Sequence, residues 1–263
     1  MRKIPLILLL CVLSLALFNC AGRAAAELES IEERFARGQA FFMKEKWSRA
    51  AEDFNWVVLN NPAGNLAIEA QYYYAESLYQ QEMYVEAQIE FERLLRRWAG
   101  TKHLIEARYR IVQCLVLQSP RTYYYDQKAT LDAIDELQTF IDDFPESTQR
   151  EEAEVLIDEL RLKIAQKNYE SGRLYLKWRR LAPARLYFEK VLSQFYDTAY
   201  ADEARVGIVV SYILQDDIKA ARDYLEENGA RFTDEELYSE AQRYIEMAQQ
   251  DKFDLDFYLR LYK

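Results

Sequence analysis

The sequence has 263 residues, half of them hydrophobic, with a formal net charge of −10 and only seven glycines and five prolines. So acidic a chain is poorly suited to gripping nucleic-acid phosphates, and strands are hard to place anywhere along it. The lone histidine, His103, and the three scattered cysteines offer no metal-ligand spacing, and neither a Gly-rich phosphate loop nor a Gly-x-Ser-x-Gly turn is present, so the reading is a non-enzyme without metal or cofactor.

At the start, Arg2 and Lys3 precede an apolar run from Ile4 to Phe18. That run is shorter than the roughly 20 residues a spanning helix needs. A positive start and a short apolar core instead mark a secretory signal peptide over residues 1–19. The ending Leu17-Phe18-Asn19-Cys20 resembles a bacterial lipobox, in which the cysteine is lipidated after the signal is cut before it. Leu17 and Cys20 fit that pattern, whereas Asn19 stands where a small residue is usual. Cleavage after Ala24-Ala25-Ala26, leaving a soluble protein, is the rival reading. With lipidation at Cys20, residues 20–30 form an anchor and tether, and Ala21 at the next position permits transfer to an outer membrane in Gram-negative sorting. A triply acylated cysteine would hold the protein firmly.

From Ile31 onward a spaced pattern of small and large residues recurs. Gly38, Ala75 and Gly172 are each followed twelve residues later by Ala50, Ala87 and Ala184, and four residues beyond those by Phe54, Phe91 and Phe188. Phe41, Leu78 and Tyr175 stand three residues after the first set. The first two starts are 37 residues apart, a spacing that signals a stacked array of small units. Each repeat reads as two amphipathic helices, in repeat one Ile31–Lys44 and Trp47–Asn60. Neither helix can bury its apolar face alone, so stability comes from stacking. Pro62, the Gly100 region, Pro145 and the Tyr196-Asp197-Thr198 turn close successive repeats.

Repeat three is weaker, with helices near Leu104–Gln118 and Ala129–Phe144 and a long connection, Ser119–Lys128. An unusually long helix is predicted from about Gln149 to Leu176, because neither Gly nor Pro interrupts it before Gly172. Repeat five pairs helices near Ala201–Leu214 and Ile218–Glu227, and a helix near Asp234–Gln249 caps the stack. The expected fold is therefore all-α, a solenoid of about five helical hairpins with a C-terminal capping helix. Its divisions are repeats one to three over 31–147, repeats four and five with the cap over 148–249, and a tail over 250–263. Cys114 reads as a buried small hydrophobe, and acidic pairs such as Glu151-Glu152 as solvated helix faces.

The positions Gly38, Phe41, Ala50, Phe54 and Pro62 resemble the small, large, small, aromatic and closing proline sites of the tetratricopeptide repeat. Together with the lipobox-like start, the chain is similar to the BamD family, lipoproteins of the β-barrel assembly machinery of Gram-negative outer membranes. Phe140–Thr148, Lys167-Asn168-Tyr169-Glu170, Phe195–Thr198 and the extended connection of repeat three carry that resemblance. It implies a scaffold on the periplasmic face of the outer membrane, anchored there by lipid. The implied partners are a BamA-like barrel protein at the C-terminal repeats and C-terminal signals of unfolded outer-membrane proteins at the N-terminal ones, with other lipoproteins an open class. A different repeat lipoprotein, such as a secretin pilotin or a cell-envelope coordinator, is the alternative.

In such arrays the first helix of each repeat lines the concave wall. The repeat register puts Phe35, Gln39, Phe42 and Met43 there from repeat one, and Tyr72, Tyr73, Glu76 and Tyr79 from repeat two. Arg110 and Cys114 follow from repeat three, and Arg110, or the neighbouring Arg34 or Arg108, is the candidate partner for a terminal carboxylate. An aromatic and polar groove suits an extended peptide with aromatic side chains, although filling of the space between repeats explains the same tyrosines. Tyr123, Tyr124 and Tyr125 cannot all face inward from one connection and are candidate partner contacts. Phe257 and Tyr258 lie on an amphipathic tail, either folded back on the last repeat or offered to a partner.

Overall fold

A computed structural model describes residues 29–259 of the protein, and the chain falls into two compact units that meet between Thr101 and Lys102. The expected signal peptide, Cys20 and most of the tether lie outside the described residues. All regular structure among those described is helical, in an all-α succession of helical hairpins. The first unit contains two hairpins, α1 (Ile31–Phe42) with α2 (Trp47–Asn60) and α3 (Ala67–Gln80) with α4 (Tyr84–Arg97).

The second unit opens with α5 (Leu104–Gln118) and α6 (Lys128–Asp143). The 28-residue α7 (Arg150–Lys177) follows, paired with α8 (Leu181–Gln194). Then come α9 (Tyr200–Ile213), α10 (Ile218–Asn228), the capping helix α11 (Glu235–Gln249) and the short α12 (Leu255–Tyr258). The division at 147/148 expected from the sequence groups repeat three with repeats one and two. In the structure α5 and α6 share a compact unit with α7, whose early turns bury Ala153 and Leu160 against Ala133, Leu137 and Phe140 of α6.

A ring seated in a gap left by glycine recurs in the core. Phe54 and Phe188 are completely buried. A Cβ added at Gly38 would lie 3.0 Å from the Phe54 ring, and one added at Gly172 only 2.5 Å from the Phe188 ring. The Phe188 ring also meets Gly207 of α9, where a Cβ would likewise fall 2.5 Å away. Gly207 stands two residues before Val209, which holds the small-residue site of repeat five by its spacing to Tyr212, Ala221 and Leu225. The matching position in repeat two is Tyr73, which lies on Phe54. Repeats three and five fill the aromatic site with Leu137 and Leu225, each four residues after a buried alanine, Ala133 and Ala221.

The large residue at the third site of the pattern has a backbone role. At the end of α1 the Lys46 N–H donates to the Phe41 carbonyl and the Glu45 N–H to that of Phe42, each at 2.9 Å. This is the Schellman arrangement, which ends a helix on a left-handed residue, usually glycine. Here that residue is Glu45, at φ +55°. The same bond pair recurs at Leu78, Tyr175 and Tyr212, with Glu82, Arg179 and Asp216 left-handed. It also explains why α1 stops at Phe42 and not at Lys44. At its other end α1 starts on a reciprocal cap, in which the Glu33 N–H donates to the Ser30 hydroxyl and the Ser30 N–H to the Glu33 carboxylate.

The capping helix is fastened by a buried acid. Asp202 of α9 accepts from the Thr233 N–H at 2.8 Å, the Thr233 hydroxyl at 2.7 Å and the Asp234 N–H at 2.9 Å. Its other oxygen pairs with Arg205 at 2.5 Å, and both side chains are buried. Burial pushes the Asp202 carboxyl up, but the Thr233 and Asp234 donors and the Arg205 guanidinium outweigh it, leaving the acid below its ordinary value. Its contribution is therefore complete above the ordinary carboxylate pKa and is lost as pH falls through the lower folded value. Asp202→Ala strands a buried guanidinium and should cost about 3–5 kcal/mol of stability. Urea unfolding at neutral pH checks this, and the loss should shrink as the wild type is itself acidified below about pH 3.9.

Candidate binding surfaces

In the first unit, most of the residues expected on a groove wall take part in packing. Phe35 is buried edge-on to Phe54, with centroids 5.6 Å apart. The half-buried Phe42 meets Trp47 at 4.9 Å and Tyr73 at 5.2 Å, and Tyr73 stacks on Phe54 at 5.4 Å. Tyr72 lies edge-on to Tyr73 and to Phe91. Glu76 is buried and accepts from the Gln80 amide at 2.9 Å. Tyr79 is half-buried against Tyr84, while Gln39 and Met43 are exposed, Met43 at 82%. The unit thus brings Phe42, Tyr72 and Tyr73 into one aromatic cluster with Trp47, Phe54 and Phe91. Arg110 belongs to the second unit, where it donates to Gln113 at 2.7 Å.

In the second unit, the long connection between α5 and α6 is tied to α7. The Lys163 ammonium donates to the Ser119 hydroxyl at 3.1 Å and the Pro120 carbonyl at 2.7 Å. One turn later Lys167 donates to the Tyr125 carbonyl at 2.6 Å. The buried Gln127 closes the loop internally, its amide donating to the carbonyls of Thr122 and Tyr125 and its own carbonyl accepting from the Thr130 hydroxyl. Burial holds the Lys163 ammonium below the usual lysine value. Thus clamped, the three tyrosines form a ladder, with centroids 5.7 Å apart between Tyr123 and Tyr124 and 4.7 Å between Tyr124 and Tyr125. Tyr124 and Tyr125 are exposed and Tyr123 is half-buried.

Between this loop and α7 opens a cleft of about 540 Å³. Tyr123 and Tyr124 form one wall; Lys167, Arg173, Leu174 and Lys177 of α7 form the other, with Leu259 at the end. Arg173 donates to the Leu259 carbonyl at 2.7 Å and pairs with Glu170 at 3.1 Å. The described part of the tail is folded back, with Leu255, Tyr258 and Leu259 buried in the unit's core and Phe257 52% exposed. The sequence reading assigned no role to Lys167, Arg173, Leu174 or Lys177. Their signal was the placing of Lys167, Leu174 and Lys177 at i, i+7 and i+10, which gives one helix face mixed apolar and cationic character.

Beside this cleft lies a smaller cavity of about 220 Å³, lined by Tyr169, Tyr200, Tyr244 and Tyr258 with Glu203 and Glu240. The Tyr169 hydroxyl donates to Glu203 and that of Tyr244 to Glu240. Burial, followed by neighbouring hydroxyls and carboxylates, pushes Tyr169 well above the usual tyrosine value. Burial likewise raises Tyr258. His103 stands at the start of α5, and Cys114 is buried in that helix. Among the described residues no group of three or more His, Cys, Asp or Glu is placed to hold a metal ion, and no helix is long and apolar enough to cross a membrane.

A family model described as YfiO, outer membrane lipoprotein, matches residues 28–227. The chain belongs to this family, that of BamD. A relative from Rickettsia prowazekii (strain Madrid E), described as outer membrane protein assembly factor BamD, is 24% identical over 248 residues, covering 93% of this chain and 98% of the relative. Membership sets the chain among assembly scaffolds, not enzymes. Among solved structures, a tetratricopeptide repeat protein from Parabacteroides merdae is similar at TM-score 0.37 and 14% identity, covering 88% of this chain and 91% of that one. YrrB, described as a TPR protein with an unusual peptide-binding site, is similar at TM-score 0.32 and 19% identity, covering 82% and 94%.

The tyrosine cavity predicts an alkaline limit to stability. The raised folded values of Tyr169 and Tyr258 mean that their contribution is complete below the ordinary tyrosine pKa near 10 and is lost as pH rises through the folded values. Each tyrosine ionised only in the unfolded chain removes about 1.4 kcal/mol per pH unit. Tyr169→Phe should flatten the fall in denaturation midpoint between about pH 10 and 12, where the wild type declines steeply.

Proposed function

We propose that this protein is a non-enzymatic, lipid-anchored scaffold for assembling outer-membrane proteins, held on the periplasmic face by acylation at Cys20. The observation that carries this reading is the match of the BamD-family model across residues 28–227, supported by the BamD relative that aligns over 93% of the chain. Stacked hairpins suit such work, because each repeat touches only its neighbours and leaves side-chain surface for partners. In this reading the second unit docks the periplasmic domains of a BamA-like barrel protein. The first unit receives the C-terminal signals of unfolded outer-membrane proteins, through the exposed Gln39 and Met43 and the open edges of Tyr72 and Tyr79. Half-buried tyrosines serve that purpose well, since they present a flat apolar body already fixed by packing.

The test is purification of the tagged protein from native envelopes in mild detergent, with partners identified by mass spectrometry. A BamA-like barrel protein at near-stoichiometric yield is expected, and Cys20→Ser should release the scaffold from the membrane fraction. Tyr79→Ala should lower recovery of unfolded precursors at least several-fold while leaving the barrel protein in place. Recovery of a secretin, or of peptidoglycan-linked proteins without any such barrel, would overturn the assembly reading.

A further inference from the structure

The cleft between the tyrosine loop and α7 has a chemistry at odds with the rest of the chain. The protein carries −10 overall, yet the cleft is lined by three cations, Lys167, Arg173 and Lys177, against one acid, Glu170. Arg173 is largely committed, with its terminal nitrogens on Glu170 and on the Leu259 carbonyl. Lys167 commits one of its three hydrogens to the Tyr125 carbonyl and has two left for a ligand. Lys177 is exposed at the far end. With Arg173 and Glu170 cancelling, the two ammonium groups set the sign of the cleft.

Apolar surface lies between them. Leu174 is 44% exposed and Tyr124 64% exposed. The loop backbone beside Tyr124 is tethered, since Lys167 and Gln127 both donate to the Tyr125 carbonyl. A preformed wall of this kind spares a ligand the cost of ordering the loop. Burying one aromatic side chain here would remove a large apolar area from water.

We propose that this cleft binds an acidic peptide segment of a partner protein, seating an aromatic or apolar side chain between Tyr124 and Leu174 and carboxylates on Lys167 and Lys177. The spacing sets the motif. Ten residues along a helix span about 15 Å, which an extended chain covers in about four or five residues. The recognised segment therefore carries two acids about five positions apart with an aromatic residue between them. The inference rests on the second unit alone and stands whatever machinery supplies the partner.

The experiment uses the full chain in detergent and a fluorescein-labelled peptide, Gly-Asp-Gly-Tyr-Leu-Gly-Glu-Gly, followed by fluorescence anisotropy. Two control peptides carry lysine in place of both acids, or serine in place of Tyr-Leu. The acidic peptide should bind at least tenfold more tightly than the lysine peptide and weaken steeply with added salt. Lys177→Glu should weaken it at least tenfold, and Leu174→Ala several-fold, with helical content and thermal midpoint unchanged. Both side chains are exposed, so neither variant threatens the fold, and Tyr124→Ala provides a third probe from the opposite wall. Equal binding of acidic and lysine peptides would overturn the proposal, as would unchanged affinity in well-folded Lys177→Glu and Leu174→Ala. Phosphatidylglycerol vesicles retained through Lys177, with no peptide bound, would assign the cleft to lipid and overturn it as well.

Discussion

The second unit depends on one ring seated against two glycines. Phe188 is wholly buried against Gly172 of its own repeat and Gly207 of the next, and a methyl group at either glycine would enter the ring's van der Waals envelope. Interiors are packed to crystal-like density, so a gap and its filler must match closely. That match sets how near α7, α8 and α9 approach one another. The interaction is nonpolar and repeats along the chain, and it needs no bond beyond dispersion and water exclusion. Where the filler shrinks to leucine, in repeats three and five, the repeat signal weakens with it.

Because α7 is anchored in this way, it can serve as a beam for other parts. Over its 28 residues it buries one face against α6, carries Lys163 and Lys167 to clamp the long connection, and grips Leu259 through Arg173. Chain segments far apart in sequence are thereby held around one cleft. The physical order runs from ring packing to helix placement, from helix placement to loop clamping, and from the clamped loop to a surface able to select a ligand. A scaffold needs that order, since a binding wall that had to form anew for each partner would give up affinity to conformational entropy.

Much of the fold was legible in the chain because hydrophobic spacing and stacking encode the same constraint. The small residue, the large residue that ends the first helix and the aromatic filler are all visible at Gly38, Phe41 and Phe54. Gly207 was not legible from the pattern, because it stands two residues before Val209, the small-residue site of its repeat, at a position where repeat two has Tyr73. The binding surface was harder to read. A helical register tells which face of α1 or α3 a residue occupies, but not which neighbouring ring covers that face. Hence Phe35 and Tyr73 lie against Phe54, while Met43 beside them is open to solvent. The tyrosine loop was visible as an oddity. Its opposite wall on α7 was not, because a mixed row of lysines and a leucine on a long helix resembles any amphipathic boundary until the loop is seen facing it.

Phe188 and its two neighbouring glycines act as one fitted contact, and a double-mutant cycle tests this directly. Gly207→Ala alone should cost about 1–3 kcal/mol by overpacking. Phe188→Leu removes the ring atoms that the new methyl group would strike. The double variant should therefore lose less stability than the two single losses added together, by about 1 kcal/mol or more. Losses that add to within about 0.5 kcal/mol would mean that ring and glycine are energetically independent, contradicting the account.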